Sequence, residues 1–146
     1  MPPKLSSTLA ALGADSDPDL LEEAVRVLGG SWAELARVRR AAEATTDVSE
    51  MSESDLRACL ATALSGTSAP VIAVWPTDRA AAGITTESLI TAIDDLWYPA
   101  MDDLVVIAGT GDHTTVLVLD HEERMTVTRL PGQGACSRAT RTLEPT

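Results

Sequence analysis

The side chains that could do chemistry in this 146-residue chain are few, and their spacing limits what they can do. His113 and His121 each stand beside a carboxylate, Asp112 and Glu122, and Cys136 follows in a glycine-rich stretch. A thiol and an imidazole together would make a nucleophile and its base. The run between the histidines, "TTVLVLD", reads as a strand. At ~3.3 Å per residue it sets the two rings roughly 25 Å apart. They cannot share a metal, so both read as turn histidines and Cys136 as an inert or surface thiol. "GTGDH" lacks the following helix that a phosphate-cradling glycine loop needs, and reads as a hairpin turn. "GGSWAELARVRR" has the outline of a helix-turn-helix, with Arg26, Arg37, Arg39 and Arg40 as its basic footprint.

The densest candidate is "DDLWYPAMDD", residues 94–103. Asp94 and Asp95 fall in the last turn of a predicted helix, where the backbone dipole disfavours carboxylates. Trp97 completes that helix's apolar stripe, and Tyr98 lies one position off it. Pro99 cannot continue the helix, and Asp102 and Asp103 stand where the next strand begins. Three readings compete. The stretch is a solvated junction around an anchoring tryptophan, or a carboxylate site for a hard cation, or an acidic-aromatic contact surface. The spacing matches no calcium loop, and no metal or other cofactor is expected. As a contact surface it would use Asp94, Asp95, Tyr98, Asp102 and Asp103 against a basic partner, with Trp97 supporting it. No residue is assigned a catalytic role.

The elements that position these residues follow from periodicity and caps. Leu5, Leu9 and Leu12 share a face, with Gly13 as a stop. "DPDLLEEAVRVLGG" has Asp17 as cap, Pro18 at the first helical position and Gly29–Gly30 at its end. "SWAE" reads as a capping box from Ser31 to Glu34, opening a helix to about Ala44. A fourth helix starts near Ser52 or Ser54 and stops at Gly66. "VIAVW" (71–75) and "LVVIA" (104–108) are continuous apolar runs, as in strands buried on both faces. Between them "PTDRAAAG" returns the chain, and Thr85 caps one helix through Trp97, with Ile84 and Leu89 as a hydrophobic staple. "TTVLVLD" and "MTVTRL" complete a meander. The intervening helix permits a parallel crossover between the first two strands.

The expected fold is therefore α+β. N-terminal helices pack on a four-stranded, mostly antiparallel sheet formed by the C-terminal half. Residues 1–130 make one domain, and 131–146 form a flexible tail. Hydrophobic residues at 45% suffice for a core without disulfides. The two cysteines make no disulfide framework, and "MPPKLSSTLAALGAD" reads as a helix, not a signal peptide. The expected compartment is cytoplasmic. The bias to Ala, and to Arg over Lys, points to a GC-rich bacterial genome.

The net charge of −11 argues against partners that must be bound by basic surface: nucleic-acid backbone and anionic membrane. Residues 46–103 hold 10 acidic groups against 2 basic ones, so the imbalance is concentrated there. A long apolar final strand at a sheet edge leaves a homodimer open.

The segment "DDLVVIAGTGDHTTVLVLD" resembles the SUKH superfamily of bacterial toxin-immunity proteins. The likeness is the order of an apolar strand "LVVIA", a Gly-Asp turn "GTGD", a strand "TTVLVLD" and an acidic-His turn "HEE". It covers roughly 20–30 residues of the second half. The resemblance implies an α+β fold and a protein that neutralises a toxin domain by binding it. Charge leads the same way: a toxin that attacks nucleic acid needs a basic cleft, and carboxylates suit its inhibitor. The expected function is a protein-binding inhibitor of the immunity or antitoxin kind. The alternative is a regulatory or scaffold subunit, a helical adaptor built on residues 17–64.

Overall fold

The computed structural model describes residues 3–14, 16–67, 70–99, 102–109 and 113–131. In chain order the elements are α1 (Pro3–Ala11), α2 (Pro18–Leu28), α3 (Glu34–Arg40), β1 (Ala44–Asp47), α4 (Glu53–Ala63) and β2 (Val71–Trp75). There follow β3 (Ala80–Ile84), α5 (Thr86–Thr91), α6 (Ile93–Leu96), β4 (Leu104–Gly109), β5 (His113–Leu119) and β6 (Arg124–Pro131). The fold is α+β around one sheet of six strands in the order β1-β6-β5-β4-β2-β3. Every adjacent pair is antiparallel.

Side-chain alternation explains the layers. Val71, Ala73, Trp75, Leu104, Val106, Leu117, Leu119, Met125 and Val127 join one core with Leu5, Leu9, Leu60, Leu89, Ile93 and Leu96 from α1, α4, α5 and α6. Val74, Val105, Ile107, Val116 and Val118 point to the opposite face and join Ala24, Leu28 and Val38 from α2 and α3. β2 and the first five residues of β4 are apolar at every position because both faces are covered. That pattern reports burial, not strand direction.

The sheet has six strands, not four, and one of them comes from the N-terminal half. α3 stops at Arg40 after seven residues, and in β1 (Ala44–Asp47) the β-branched Thr45 and Thr46 favour extended backbone. The capping box at Ser31 does not form. The helix begins at Glu34 with Ala33 at the cap and no side-chain cap bond. "PTDRAAAG" is a turn followed by β3, an alanine-rich strand without the bulky residues that mark strands in a sequence. The predicted helix to Trp97 is two short helices interrupted at Ala92. Asp17, Ser52 and Thr85 do cap α2, α4 and α5 with their side chains.

The first two predicted strands, β2 and β4, are neighbours and antiparallel, so no parallel crossover joins them. Both β3 and β4 pair antiparallel with β2, so β3 and β4 run in the same direction. The crossover carried by α5 and α6 leaves from β3 and passes over β2. The β4-β5-β6 meander is as expected.

β6 is not an edge strand over its first half, because β1 pairs with 124–127. It runs through Pro131. The rest of the expected tail, with Cys136, lies outside the described residues, as does Asp112. The segment 17–64 contributes helices to both faces and strand β1, so it is not a helical unit of its own. Among the described residues no helix is long and apolar enough to cross a membrane.

Candidate functional site

One end of the sheet collects the start of β3, the start of β4, the start of β6, and the ends of β2, β5 and β1. The acidic stretch 94–103 reaches this end, and its carboxylates have different surroundings there.

Asp94 and Asp95 lie in α6, a single turn, and not at the end of a long helix. Asp94 meets Arg57 of α4 at 3.3 Å, and Asp95 meets Lys4 of α1 at 3.5 Å. Their side chains are 44% and 48% exposed, so these pairs are surface ion pairs of small energy. Both carboxylates can exchange their partner for another cation. Tyr98 is half-buried, and its hydroxyl donates to the Asp95 carbonyl at 2.5 Å. The Lys4 ammonium sits 5.7 Å from its ring centre. Burial holds the phenol above its ordinary value.

Asp102 is different. It is 8% exposed, and its carboxylate accepts backbone N–H groups of Thr77, Asp78 and Asp103. It holds the β2–β3 turn against the start of β4, with little of its surface open to solvent. Asp103 accepts two bonds from His121, from the backbone N–H at 2.8 Å and with ring Nδ1 at 3.0 Å. Trp97 is half-buried against the core. The fully buried tryptophan is Trp75, whose Nε1 donates to the Leu96 carbonyl at 2.7 Å and so fixes α6. Nothing in the sequence ranks Trp75 above Trp97, because both sit in apolar runs.

The same sheet end gathers further acids that the sequence did not single out. Val48 N donates to the Glu123 carbonyl at 2.9 Å, bringing the β1–α4 loop against the β5–β6 turn. The end of β1, that loop and the first turn of α4 carry Asp47, Glu50, Glu53 and Asp55, and the β5–β6 turn carries Glu122 and Glu123. The Asp47 carboxyl is held below its ordinary value by its bonds to the Ser49 hydroxyl and backbone N–H. Glu53 and Asp94 share Arg57, which links this rim to α6.

The remaining candidates do not converge. His113 and His121 stand at opposite ends of β5. Arg129 donates to His113 Nε2 at 3.0 Å. Cys59, half-buried on α4, lies 3.9 Å from the Met51 sulfur. Among the described residues no group of three or more His, Cys, Asp or Glu side chains is placed to hold a metal ion. Of the helix-turn-helix arginines, Arg37 pairs with Glu34 and Arg39 with the buried Asp120, and α3 packs on the sheet through Val38.

His121 gives this end a pH signature. Its hydrogen bond to Asp103, and then that residue's charge, raise its pKa above the ordinary 6.5. A raised folded-state value stabilises the fold fully below the unfolded pKa, and the contribution is lost as pH rises through the folded one. In an NMR titration His121 is expected to titrate above 6.5, and Asp103→Asn to bring it down. An unchanged midpoint in the variant shows that the pair does not persist in solution.

No family model, no curated protein and no solved structure matches this chain.

Proposed function

We propose that this protein is a protein-binding inhibitor, of the immunity or antitoxin kind, that engages a basic partner through the acidic end of its sheet. The observation that carries this reading is the meeting of α6, the β1–α4 loop and the β5–β6 turn in one rim of carboxylates. Dense like charge in one place repels itself, and a basic partner relieves that repulsion while steering encounter. The contact set is Asp94, Asp95, Tyr98 and Asp103, with Asp102 acting from beneath as the group that fixes the turn. Glu122 and Glu123 extend the set. The immunity form of the proposal rests on the resemblance to the SUKH superfamily. The reading gives the chain no catalytic step and no cofactor, and places it in the bacterial cytoplasm without nucleic acid or membrane as ligand.

The test is capture of a partner from native extract at low salt, with a variant carrying Asp94→Asn, Asp95→Asn, Glu122→Gln and Glu123→Gln. Asp102 stays intact, so the turn it holds is preserved. The wild type is expected to retain one basic protein, and the variant to associate with it roughly tenfold more slowly at low salt. The difference should shrink as salt screens the charges. Equal association by the two proteins, or retention of an acidic partner, overturns the proposal.

A further inference from the structure

A cleft of about 350 Å³ opens between α3 and the β1–β6 pair, lined by Ala36, Arg39, Arg40, Thr45, Arg124 and Thr126. In a chain of net charge −11, the described lining holds three guanidiniums and no carboxylate. Arg39 and Arg124 have acidic neighbours, and Arg40 has none among the described residues. Asp120 lies behind the wall with one charge for both Arg39 and Arg124. Glu122 takes Arg124 at 2.6 Å. Asp47, opposite Arg124 in register, is bonded to Ser49 and also feels the Arg124 charge. Arg40 is exposed and makes no ion pair among the described residues. By contrast Arg26, Arg37, Arg57 and Arg129 each have an acidic neighbour.

The floor adds hydroxyls. Thr45 and Thr126 are register partners, so their side chains stand on the same face. Thr126 is 6% exposed, and its Oγ1 has no hydrogen-bond partner among the described residues. An unsatisfied buried hydroxyl is costly, and Thr126 belongs to the cleft lining.

We propose that this cleft binds a small oxyanion of the phosphate type. Arg40 offers an unengaged fork of N–H donors, and Arg39 and Arg124 retain donors beyond those given to Asp120 and Glu122. The Thr45 and Thr126 hydroxyls take the remaining oxygens. A guanidinium fork also fits a carboxylate, and that alternative is an arm of the test.

Inorganic phosphate is titrated into the full chain at low ionic strength and followed by backbone amide shifts, with acetate and chloride at matched ionic strength in parallel. Saturable shifts at Arg40, Thr45 and Thr126 are expected with phosphate, and no saturation with chloride. Arg40→Gln should raise the Kd roughly tenfold and Thr126→Val about threefold, the losses due to one charged and one neutral hydrogen bond. Arg37→Gln, on the same helix but outside the cleft, should leave the Kd unchanged. Saturation by chloride, absence of saturation by phosphate, or an Arg40→Gln variant that binds as wild type overturns the site. Acetate binding as tightly as phosphate overturns the phosphate assignment.

Discussion

Asp120→Ala is expected to destabilise the fold by about 3–4 kcal/mol, seen as a lower urea midpoint with an unchanged slope. Asp120 is 1% exposed at the end of β5. One carboxylate oxygen accepts the backbone N–H groups of Glu122 and Arg124 at 2.9 and 3.0 Å, and the other accepts from the Arg39 side chain. Alanine removes the acceptor from two turn amides and leaves a partly buried guanidinium uncompensated. Glu123, at φ +59°, needs a well-held turn to keep a conformation that side chains disfavour. Arg39 is 28% exposed and can swing toward water, which keeps the loss at the lower end of the range for a broken buried pair. Asp120→Asn keeps an oxygen for the turn amides and loses the charge, so about half the effect is expected. A loss below about 1 kcal/mol for alanine would mean that neither the turn nor α3 depends on this carboxylate.

The consequence reaches past stability. α3 has seven residues, too few to persist alone, and it is tied to the sheet by Arg39–Asp120, by Val38 and by the Thr128 hydroxyl donating to the Val38 carbonyl. The arginine cleft is thus built on a short helix that one buried acid helps to hold. Nothing in "LVLDHEER" announces that the first acid is buried while the next two are exposed. The sequence shows only a polar turn.

The same contrast runs through the rest of the molecule. Elements marked by caps were legible, because a side chain at one position satisfies an N–H two or three residues on: Asp17, Ser52 and Thr85 all do so. The large strands were legible from their apolar runs. β1 and β3 were not. "ATTD" has no apolar alternation, since its side chains are mostly exposed at the sheet edge. "AAAGI" carries little bulk, and its assignment depends on the register with "VIAVW". Strand direction was equally hidden. An antiparallel sheet covered by helices on both faces presents the continuous hydrophobic runs that usually accompany parallel strands. For the acidic stretch, the clustering of carboxylates was visible. Their division into one buried acid, two surface ion pairs and one histidine partner arises from elements distant in sequence.

That division is what Asp102→Ala measures. The substitution should cost about 3 kcal/mol, while Asp103→Asn next to it should stay within about 0.5 kcal/mol. Three backbone N–H groups converge on Asp102, from Thr77 at 3.1 and 3.0 Å, Asp78 at 3.3 Å and Asp103 at 2.8 Å. No alanine can satisfy them, and at 8% exposure little water can replace the carboxylate. The turn they anchor contains Arg79 at φ +51°, so the loss of its acceptor frees a residue already held in a disfavoured conformation. Asp102→Asn supplies one oxygen instead of two and no charge, and should fall between wild type and alanine. Asp103 loses only a surface partner, His121, whose side chain is 65% exposed. If the two substitutions cost the same, Asp102 is not the prop of the turn, and all four carboxylates of the stretch belong to the accessible rim. If they separate as expected, partner binding has to be probed at the exposed acids alone. A binding loss in an Asp102 variant would then report a displaced β2–β3 turn rather than a missing contact.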